Sequence, residues 1–273
     1  MSVARALRLV TGGPERRAIE AGEVDAVIDP ANGRVLLLPE AKRALSSTGG
    51  ETANRLLAAL PRQDYQRLLA ELELVALAYG EVLYEPGERI RHVYFPNDAI
   101  VSLLTVVQDK ALEVGLVGRE GMAGIALALG AERAQERAMV QGTGSALRMK
   151  AASLHEALEH CVPLRRELHR YAYTKLVEAR QTAACTRFHG VEERLARWLL
   201  MTHDRARADR LHLTHEFLAY MLGVRRAGVT QAASALQRRR LIDYQRGDIR
   251  VLDRKGLEAA ACVCYRIVKA LAG

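Results

Sequence analysis

Several sequence features of membrane proteins and enzymes are missing from this chain of 273 residues. No apolar run is long enough to cross a bilayer, and the first twenty residues lack the long apolar core of a secretory signal. The sequence contains no nucleophile with a nearby base, no Walker loop and no metal-ligand cluster. These absences predict a cytoplasmic protein that is not an enzyme and contacts no membrane, and they indicate no cofactor.

Cysteine is scarce, with four residues at positions 161, 185, 262 and 264. This number and spacing indicate neither a disulfide framework nor a zinc ligand set. Cys262 and Cys264 are predicted to lie in one helix, where residues two apart point to different faces and would not easily bind the same metal. His155 and His160 are five residues apart, which differs from the four-residue spacing of a metalloprotease helix. The sequence therefore predicts no metal site.

The chain carries a basic surplus, with a formal net charge of +8 and a pI of about 9.5. Its length is sufficient for about two domains. A basic surplus favours nucleic acid or an anionic surface as a partner, but charge alone does not choose between them.

The most informative segment, residues 213–253, predicts two short helices followed by a small hairpin. Thr214 is predicted to cap the first helix, and Gly223 is predicted to end it in a left-handed turn. The second helix is predicted to begin near Arg225, with apolar residues at helical spacing on one face. Two short apolar strands then flank a turn around Gly247. This order of elements predicts a winged helix-turn-helix.

The outer face of the second helix carries side chains that hydrogen-bond bases and phosphates. Arg225 and Arg226 are predicted to enter the major groove. The predicted DNA-binding residues are Thr214, Arg225, Arg226, Thr230, Gln231, Ser234, Arg238 and Arg239. Basic helix pairs also occur in proteins that do not bind DNA. The alternative is a ligand-binding regulatory subunit or scaffold whose C-terminal helices bind protein.

Upstream, residues 53–160 predict short strands separated by turns. Two short helices, near residues 54–59 and 65–71, precede these strands. The predicted strands are residues 82–84, 93–95, 100–107, 112–117, 138–141 and 146–149. Their spacing predicts a small barrel or roll. The glycine-rich segment 117–130 either presents backbone N–H groups to an anion or only permits sharp chain reversals.

Four segments in this order resemble the Crp/Fnr family of bacterial transcription regulators. They are GEVLYEPGERIRHVYFP (residues 80–96), EVGLVGREGMAG (113–124), VEERLARWLL (191–200) and the winged helix-turn-helix. The resemblance extends over about residues 54–269. It implies an α+β chain with an N-terminal cyclic-nucleotide-binding-like β-roll, a long dimerisation helix and a C-terminal winged helix-turn-helix that binds double-stranded DNA. The resemblance implies a sensor domain (53–160), a dimerisation helix (161–189) and a DNA-binding domain (190–273). The N-terminal extension (1–52) lies outside the resemblance and is predicted to be flexible, since residues 46–50 are typical of a linker.

The segment from Pro163 to Phe188 independently predicts a long helix with an apolar stripe. The predicted dimerisation residues are Leu164, Leu168, Ala172, Leu176, Ala179 and Ala183. Because alanines let two helices approach closely, we expect a homodimer with recognition helices roughly 34 Å apart on a two-fold symmetric operator. The alternative is that this helix packs on the roll of its own chain.

The sequence departs from the nucleotide-binding members of the family at the effector site. Those members use a Gly-Glu-Leu and a later Arg, whereas the corresponding residues here are Ala123-Gly124-Ile125 and Glu136. Glycine offers no side-chain acceptor to a ribose hydroxyl, and a carboxylate repels a phosphate. We therefore predict that cyclic AMP is not the effector. The predicted effector pocket contains Gly121, Gly124, Ile125, Arg133 and Arg137. The two arginines would take the place of the family's phosphate-binding arginine if the register shifts.

The resemblance also bears on which cofactors and partners are expected. No cysteine precedes Cys161, so the N-terminal iron–sulfur cysteine cluster of some members is absent, and no Cys/His pair in the roll indicates haem. A small-molecule effector and RNA polymerase are the other expected partners. The sequence decides neither the identity of the effector nor whether the protein activates or represses.

Overall fold

The computed structural model describes residues 26–28, 35–37, 54–108, 110–206, 210–245 and 247–271. The chain forms two compact units, residues 1–52 and 53–273. In the first unit, strands β1 (Ala26–Ile28) and β2 (Val35–Leu37) pair antiparallel. Apart from these two strands, the predicted flexible extension lies outside the described residues.

The β-roll in the second unit consists of two antiparallel sheets. Its strands are β3 (Glu73–Leu77), β4 (Val82–Tyr84), β5 (His92–Pro96), β6 (Ile100–Val107), β7 (Lys110–Val117), β8 (Arg137–Gly142) and β9 (Gly144–Lys150). One sheet has the order β3-β9-β5 and the other β4-β8-β6-β7. A 3₁₀ helix, Ile125–Leu129, lies between β7 and β8. The six predicted strands are confirmed as β4 to β9, whereas β3 was not predicted.

Nine α-helices lie in the described part of the chain. They are α1 (Arg55–Ala58), α2 (Arg62–Leu69), α3 (Ala151–His160), α4 (Val162–Phe188), α5 (Val191–Arg205), α6 (His215–Leu222), α7 (Arg226–Arg238), α8 (Arg254–Ala260) and α9 (Cys264–Leu271). Among the described residues, no helix has the length and apolar character needed to span a bilayer.

The long helix α4 contains 27 residues and is therefore about 40 Å long. Pro163 lies in its first turn, where a missing backbone N–H leaves no helical hydrogen bond unmade. On one side, Leu164, Leu168 and Tyr171 are buried against the roll of the same chain. The predicted long helix is thus confirmed, and part of its apolar stripe faces its own roll.

A winged helix-turn-helix follows α5, as the sequence predicts. Thr214 caps α6 by accepting a hydrogen bond from the Phe217 N–H at 3.1 Å. Gly223 ends α6 with φ +62°, a left-handed conformation that glycine adopts without strain. Strand β10 (Arg210–His212) then joins the hairpin of β11 (Ile242–Gln245) and β12 (Asp248–Val251) in the order β10-β12-β11.

Two apolar cores hold these elements. The first lies inside the roll and extends to α1, α3 and the first half of α4. The second combines the interior of the winged helix domain with residues of β6 and β7, including Leu104 and Leu116. In this second core, Trp198 and Leu199 of α5 pack together with Leu218 and Met221 of α6. The winged helix domain and the roll therefore share one continuous apolar core.

The connection between α8 and α9 differs from the sequence prediction. Helix α8 ends at Ala260, and Ala261 takes an extended conformation with ψ 150° before α9 begins at Cys264. Cys262 therefore lies between the helices, and the prediction that it shares a helix with Cys264 is wrong. Because the chain is not helical here, the two side chains need not point to different faces. Both are buried beside Cys185.

Candidate nucleic-acid interface

Helix α7 is amphipathic and presents a polar face to solvent. Its buried face contains Val229, Ala232, Ala233 and Leu236, which pack in the second core. Of the predicted DNA-binding residues, Thr214, Arg225, Arg226, Thr230, Gln231, Arg238 and Arg239 are exposed, and Ser234 is half-buried. The predicted residues therefore share one accessible surface around α7.

This surface has a strong positive charge. Between Glu216 and Asp243 the chain contains five arginines and no acidic residue. Arg225 occupies the N-cap position of α7, and Arg226 begins the helix. Such a concentration of guanidinium groups on one helix suits bidentate contacts with guanine and with phosphates.

Thr230 connects the recognition helix to the helix before it. Its hydroxyl oxygen lies 3.0 Å from His215 Nδ1 and also donates to the carbonyl oxygen of Arg226 at 3.1 Å. The His215 ring stacks on Tyr244 of the wing at a centroid distance of 4.3 Å. Burial and, secondly, the charge of Arg226 lower the pKa of His215, which favours the neutral ring. Thr230, His215 and Tyr244 therefore fix α6, α7 and the wing relative to one another.

Neither His215 nor Tyr244 was among the residues predicted to form this surface. Their contact depends on the three-dimensional approach of β11 to the start of α6, and a sequence pattern does not report such an approach. Two features of the sequence could have indicated them: Tyr244 is an aromatic residue in a wing strand, and His215 immediately follows the helix cap Thr214.

The arginines at the end of α7 differ in their surroundings. Arg239 Nη1 forms a 2.9 Å ion pair with Glu192 Oε1 of α5. Arg238 is exposed in the last turn of the helix, and Arg240 adopts φ +56° immediately after it. The Glu192 carboxylate therefore partly neutralises Arg239, and a phosphate bound by Arg239 would compete with it or use the other guanidinium N–H groups.

The predicted effector residues do not form one cluster of polar groups. Gly121 and Gly124 are buried in the loop after β7, and Gly124 donates its N–H to the Tyr84 hydroxyl at 3.0 Å. Arg133 is exposed and donates to the carbonyl oxygen of Gly87 at 2.8 Å. Ile125 is half-buried at the start of the 3₁₀ helix. None of these contacts brings the Arg133 guanidinium to the glycine loop.

Arg137 points toward the DNA-binding domain. Its Nε donates to Glu85 Oε2 at 2.8 Å, and its Nη1 donates to the Tyr220 hydroxyl of α6 at 2.9 Å. The turn at Gly223 also approaches the roll, because a Cβ added there would lie 3.2 Å from Leu112 Cδ1. Arg137 is thus part of the contact between the two domains.

This geometry defines a β-roll joined through a long helix to a winged helix-turn-helix with a basic recognition helix. Comparison with known proteins agrees with that class. Residues 193–260 match the Crp-like helix-turn-helix domain. No curated protein sequence gave a significant match. The chain therefore contains a Crp-like helix-turn-helix domain and has the fold of Crp/Fnr regulators, with a cyclic-nucleotide-binding-like roll, which supports a DNA-binding transcription regulator.

Solved structures of this family are similar over most of their length. A CRP/FNR family transcriptional regulator from Thermus thermophilus is 26% identical, with a TM-score of 0.54 over 69% of this chain and 98% of that one. FixK2 from Bradyrhizobium japonicum is 19% identical, with a TM-score of 0.61 over 70% and 98%. The c-di-GMP responsive regulator CLP from Xanthomonas campestris is 15% identical, with a TM-score of 0.59 over 70% and 99%.

Proposed function

We propose that this regulator binds a two-fold symmetric operator as a homodimer and that its roll does not respond to cyclic AMP. The main observation that supports a dimer is an exposed face along α4. This face contains Val162, Arg166, His169, Tyr173, Leu176, Arg180, Ala183 and Arg187, all exposed. Their spacing alternates between four and three residues, which is the a/d spacing of a two-stranded coiled coil.

The proposed face replaces part of the predicted dimerisation stripe. Leu164 and Leu168 are 1% and 0% exposed because they pack on the roll, so they are not accessible to a partner helix. Leu176 and Ala183 are shared by the predicted stripe and the exposed face, while Ala172 and Ala179 are half-buried beside it. The predicted stripe drifts around the helix because most of its spacings are four residues and 3.6 residues make a turn.

Large apolar side chains on this face support the α4 helix of a second copy as its partner. Tyr173 is 64% exposed, Leu176 46% and Val162 59%. A parallel pair of α4 helices would cover them and would relate the two α7 helices by a two-fold axis. Recognition helices in such dimers lie roughly 34 Å apart, one turn of DNA, so the operator is expected to be a palindrome.

The interior of the roll supports the exclusion of cyclic AMP. Glu136 is half-buried, and burial raises its pKa. Burial and, secondly, the charge of Glu136 raise the pKa of Tyr84, whose hydroxyl accepts a hydrogen bond from the Gly124 N–H. A cyclic phosphate here would meet a carboxyl in place of a guanidinium. Isothermal titration is expected to detect no cyclic AMP binding, and micromolar binding that tightens DNA affinity would contradict this part of the proposal.

Two measurements on the purified full chain test the proposed function. Sedimentation equilibrium is expected to give a dimer, and selection of duplexes from a random library is expected to enrich a palindrome. Selection with and without a bacterial metabolite extract would reveal an effector of the roll. A monomer that enriches a single half-site would overturn the dimer and keep DNA binding. A folded protein that enriches nothing would favour the scaffold alternative. A contact with RNA polymerase is part of the proposal and is tested by transcription in vitro from a promoter carrying the selected site.

A further inference from the structure

Three cysteines and one histidine from distant parts of the sequence meet at the C-terminal end of α4. Cys185 lies in the last turn of this helix, and His189 is its C-cap residue. Cys262 and Cys264 come from the connection between α8 and α9. The three Sγ atoms and the His189 ring nitrogen all lie within 4.8 Å of one another. The fold therefore brings three sulfur atoms and one imidazole nitrogen together, although His189 and Cys262 are 73 positions apart in the sequence.

The distances fit coordination of a single ion. Cys185 Sγ lies 3.5 Å from Cys262 Sγ, and Cys264 Sγ lies 3.5 Å from His189 Nδ1. In a tetrahedral zinc site with Zn–S near 2.3 Å and Zn–N near 2.0 Å, neighbouring donor atoms are about 3.5–3.8 Å apart. Cys185 and His189 are also four residues apart along α4, a spacing that places both on the same side of the helix end.

The surroundings of the cluster match the charge of a metal–thiolate site. Three thiolates, a neutral imidazole and Zn²⁺ carry a net charge of −1. Arg197 of α5 lies beside the Cys185 thiol and is 6% exposed. Its Nη2 donates to Thr182 Oγ1 at 3.0 Å, while its Nε has no partner. Among the described residues, no carboxylate forms an ion pair with Arg197, although a buried guanidinium needs a counter-charge.

A second contact orients a thiolate. The side-chain amide of Gln181 on α4 donates from Nε2 to Cys264 Sγ at 3.0 Å. Hydrogen bonds from outer-shell groups hold metal ligands in place and are a recurring part of metal sites. The three cysteines are buried and form an apolar cluster of their own, separate from both cores.

We propose that Cys185, His189, Cys262 and Cys264 bind one Zn²⁺ ion in a closed structural site. Four protein ligands leave no open coordination position, which separates structural zinc sites from catalytic ones. The ion ties the end of α4 to the connection before α9. It therefore joins the helix of the proposed dimer interface to the C-terminal part of the DNA-binding domain.

The test measures the metal directly and does not depend on DNA binding. The full chain is purified with reductant, without a histidine tag, and its zinc content is determined by mass spectrometry. One zinc per chain is expected. Replacement by Co²⁺ is expected to give a thiolate-to-cobalt charge-transfer band together with the d–d bands of tetrahedral cobalt. This spectrum uses the wild-type chain, so it needs no variant that folds poorly.

Four variants test the assignment of the ligands. Cys185→Ser and Cys264→Ser are expected to lose stoichiometric zinc, whereas Cys161→Ser, a buried cysteine outside the cluster, keeps one zinc per chain. Gln181→Ala is expected to keep the ligands but to bind zinc about 10–100-fold more weakly. A wild-type chain with no bound zinc and no cobalt charge-transfer band would overturn the proposal, as would full zinc content in both ligand variants. A Cys185–Cys262 disulfide in the reduced preparation would also overturn it and would assign the pair to redox chemistry.

Discussion

The indole nitrogen of Trp198 donates a 2.8 Å hydrogen bond to Glu113 Oε1 across the junction between the DNA-binding domain and the roll. The other carboxyl oxygen of Glu113 lies 2.8 Å from the Ser102 hydroxyl, which also lies 2.6 Å from Gln141 Oε1. A hydroxyl has one hydrogen and cannot donate to both oxygens. A protonated Glu113 resolves this, because it donates to Ser102 while Ser102 donates to Gln141.

We expect Glu113 to make folding stability depend on pH. Burial is the largest cause that raises its pKa from 4.5 to about 8. Between these two values the folded chain holds a proton that the unfolded chain has lost. The free energy of unfolding therefore falls as pH rises through this window, by up to about 1.4 kcal/mol per pH unit, and this contribution levels off above the folded pKa.

Urea unfolding of the wild type and of Glu113→Gln across this window measures the effect. The amide of Gln keeps an acceptor for Trp198 and a donor for Ser102 but does not titrate. The stability of the wild type is expected to fall relative to that of the variant as pH rises. Glu159→Gln, which alters an exposed carboxyl on α3, is the control and should follow the wild type. Parallel profiles for wild type and Glu113→Gln would show that Glu113 does not titrate in this range.

Arg226 and Arg239 are expected to contribute to DNA binding in different ways. If Arg226 forms a bidentate contact with guanine, Arg226→Ala loses about 1–3 kcal/mol of discrimination between the selected site and random DNA. Arg239→Ala is expected to weaken binding to all duplexes and to lower the salt dependence by about one phosphate contact. Fluorescence anisotropy at several salt concentrations measures both quantities.

Glu192 offers a matched control for the Arg239 assignment, because the two side chains form an ion pair. Glu192→Gln releases the guanidinium and is expected to strengthen binding to specific and random duplexes alike. If Arg226→Ala and Arg239→Ala lost equal affinity on both kinds of DNA, the division between base contact and phosphate contact would be refuted.

The proposed dimer face predicts the effect of a single charge. Leu176 is 46% exposed near the middle of α4. Leu176→Glu places two carboxylates opposite each other in a parallel pair, so sedimentation is expected to show a shift from dimer to monomer with unchanged circular dichroism. Val107→Glu introduces the same charge outside α4, at a 64% exposed position at the end of β6, and should leave the dimer intact. An unchanged dimer in Leu176→Glu would exclude this face.

Gly121 is predicted to tolerate no side chain. A Cβ at this position would lie well inside the van der Waals distance of the Tyr171 hydroxyl and of the adjoining ring carbon, at the contact between the loop and α4. Gly121→Ala is therefore expected to lower the free energy of unfolding by about 1–3 kcal/mol. The comparison is Gly228→Ala in α7, where the nearest atom is 3.9 Å away and helix propensity favours alanine by about 1 kcal/mol. Equal thermal stability of the two variants would contradict the clash.

Local sequence signals predicted the elements of this fold well. The turn glycine Gly223, the cap Thr214 and the hairpin around Gly247 each act through their nearest neighbours, and the structure confirms all three. Strand β3 was not predicted because its burial follows no clean alternation; Glu73 and Ala76 are exposed and Leu77 is buried. Its place in the sheet is set by pairing with β9, more than sixty residues away.

Contacts between distant segments limited the prediction of sites. The apolar stripe on α4 left open whether it faces a partner helix or the roll of its own chain, because apolar spacing does not identify what covers a helix. In the structure Leu164 and Leu168 face the roll. Arg137 was a ligand-binding candidate only if a shift of register let it replace the family's phosphate-binding arginine, and its partners in the structure are Glu85 and Tyr220. The grouping of Cys185 with Cys262 required knowledge of where α8 ends, and that boundary has no glycine or proline to mark it.

The apolar core shared by the roll and the winged helix domain has a calorimetric consequence. Leu104 and Leu116 of the roll pack with Trp198 and Met221 of the DNA-binding domain. An effector that separates this domain from the roll must therefore expose these side chains to water. Exposure of apolar surface raises the heat capacity. Exposing this core on binding would therefore add a positive heat-capacity change that offsets the negative one from ligand burial, so the binding enthalpy would change with temperature less steeply than ligand burial alone accounts for.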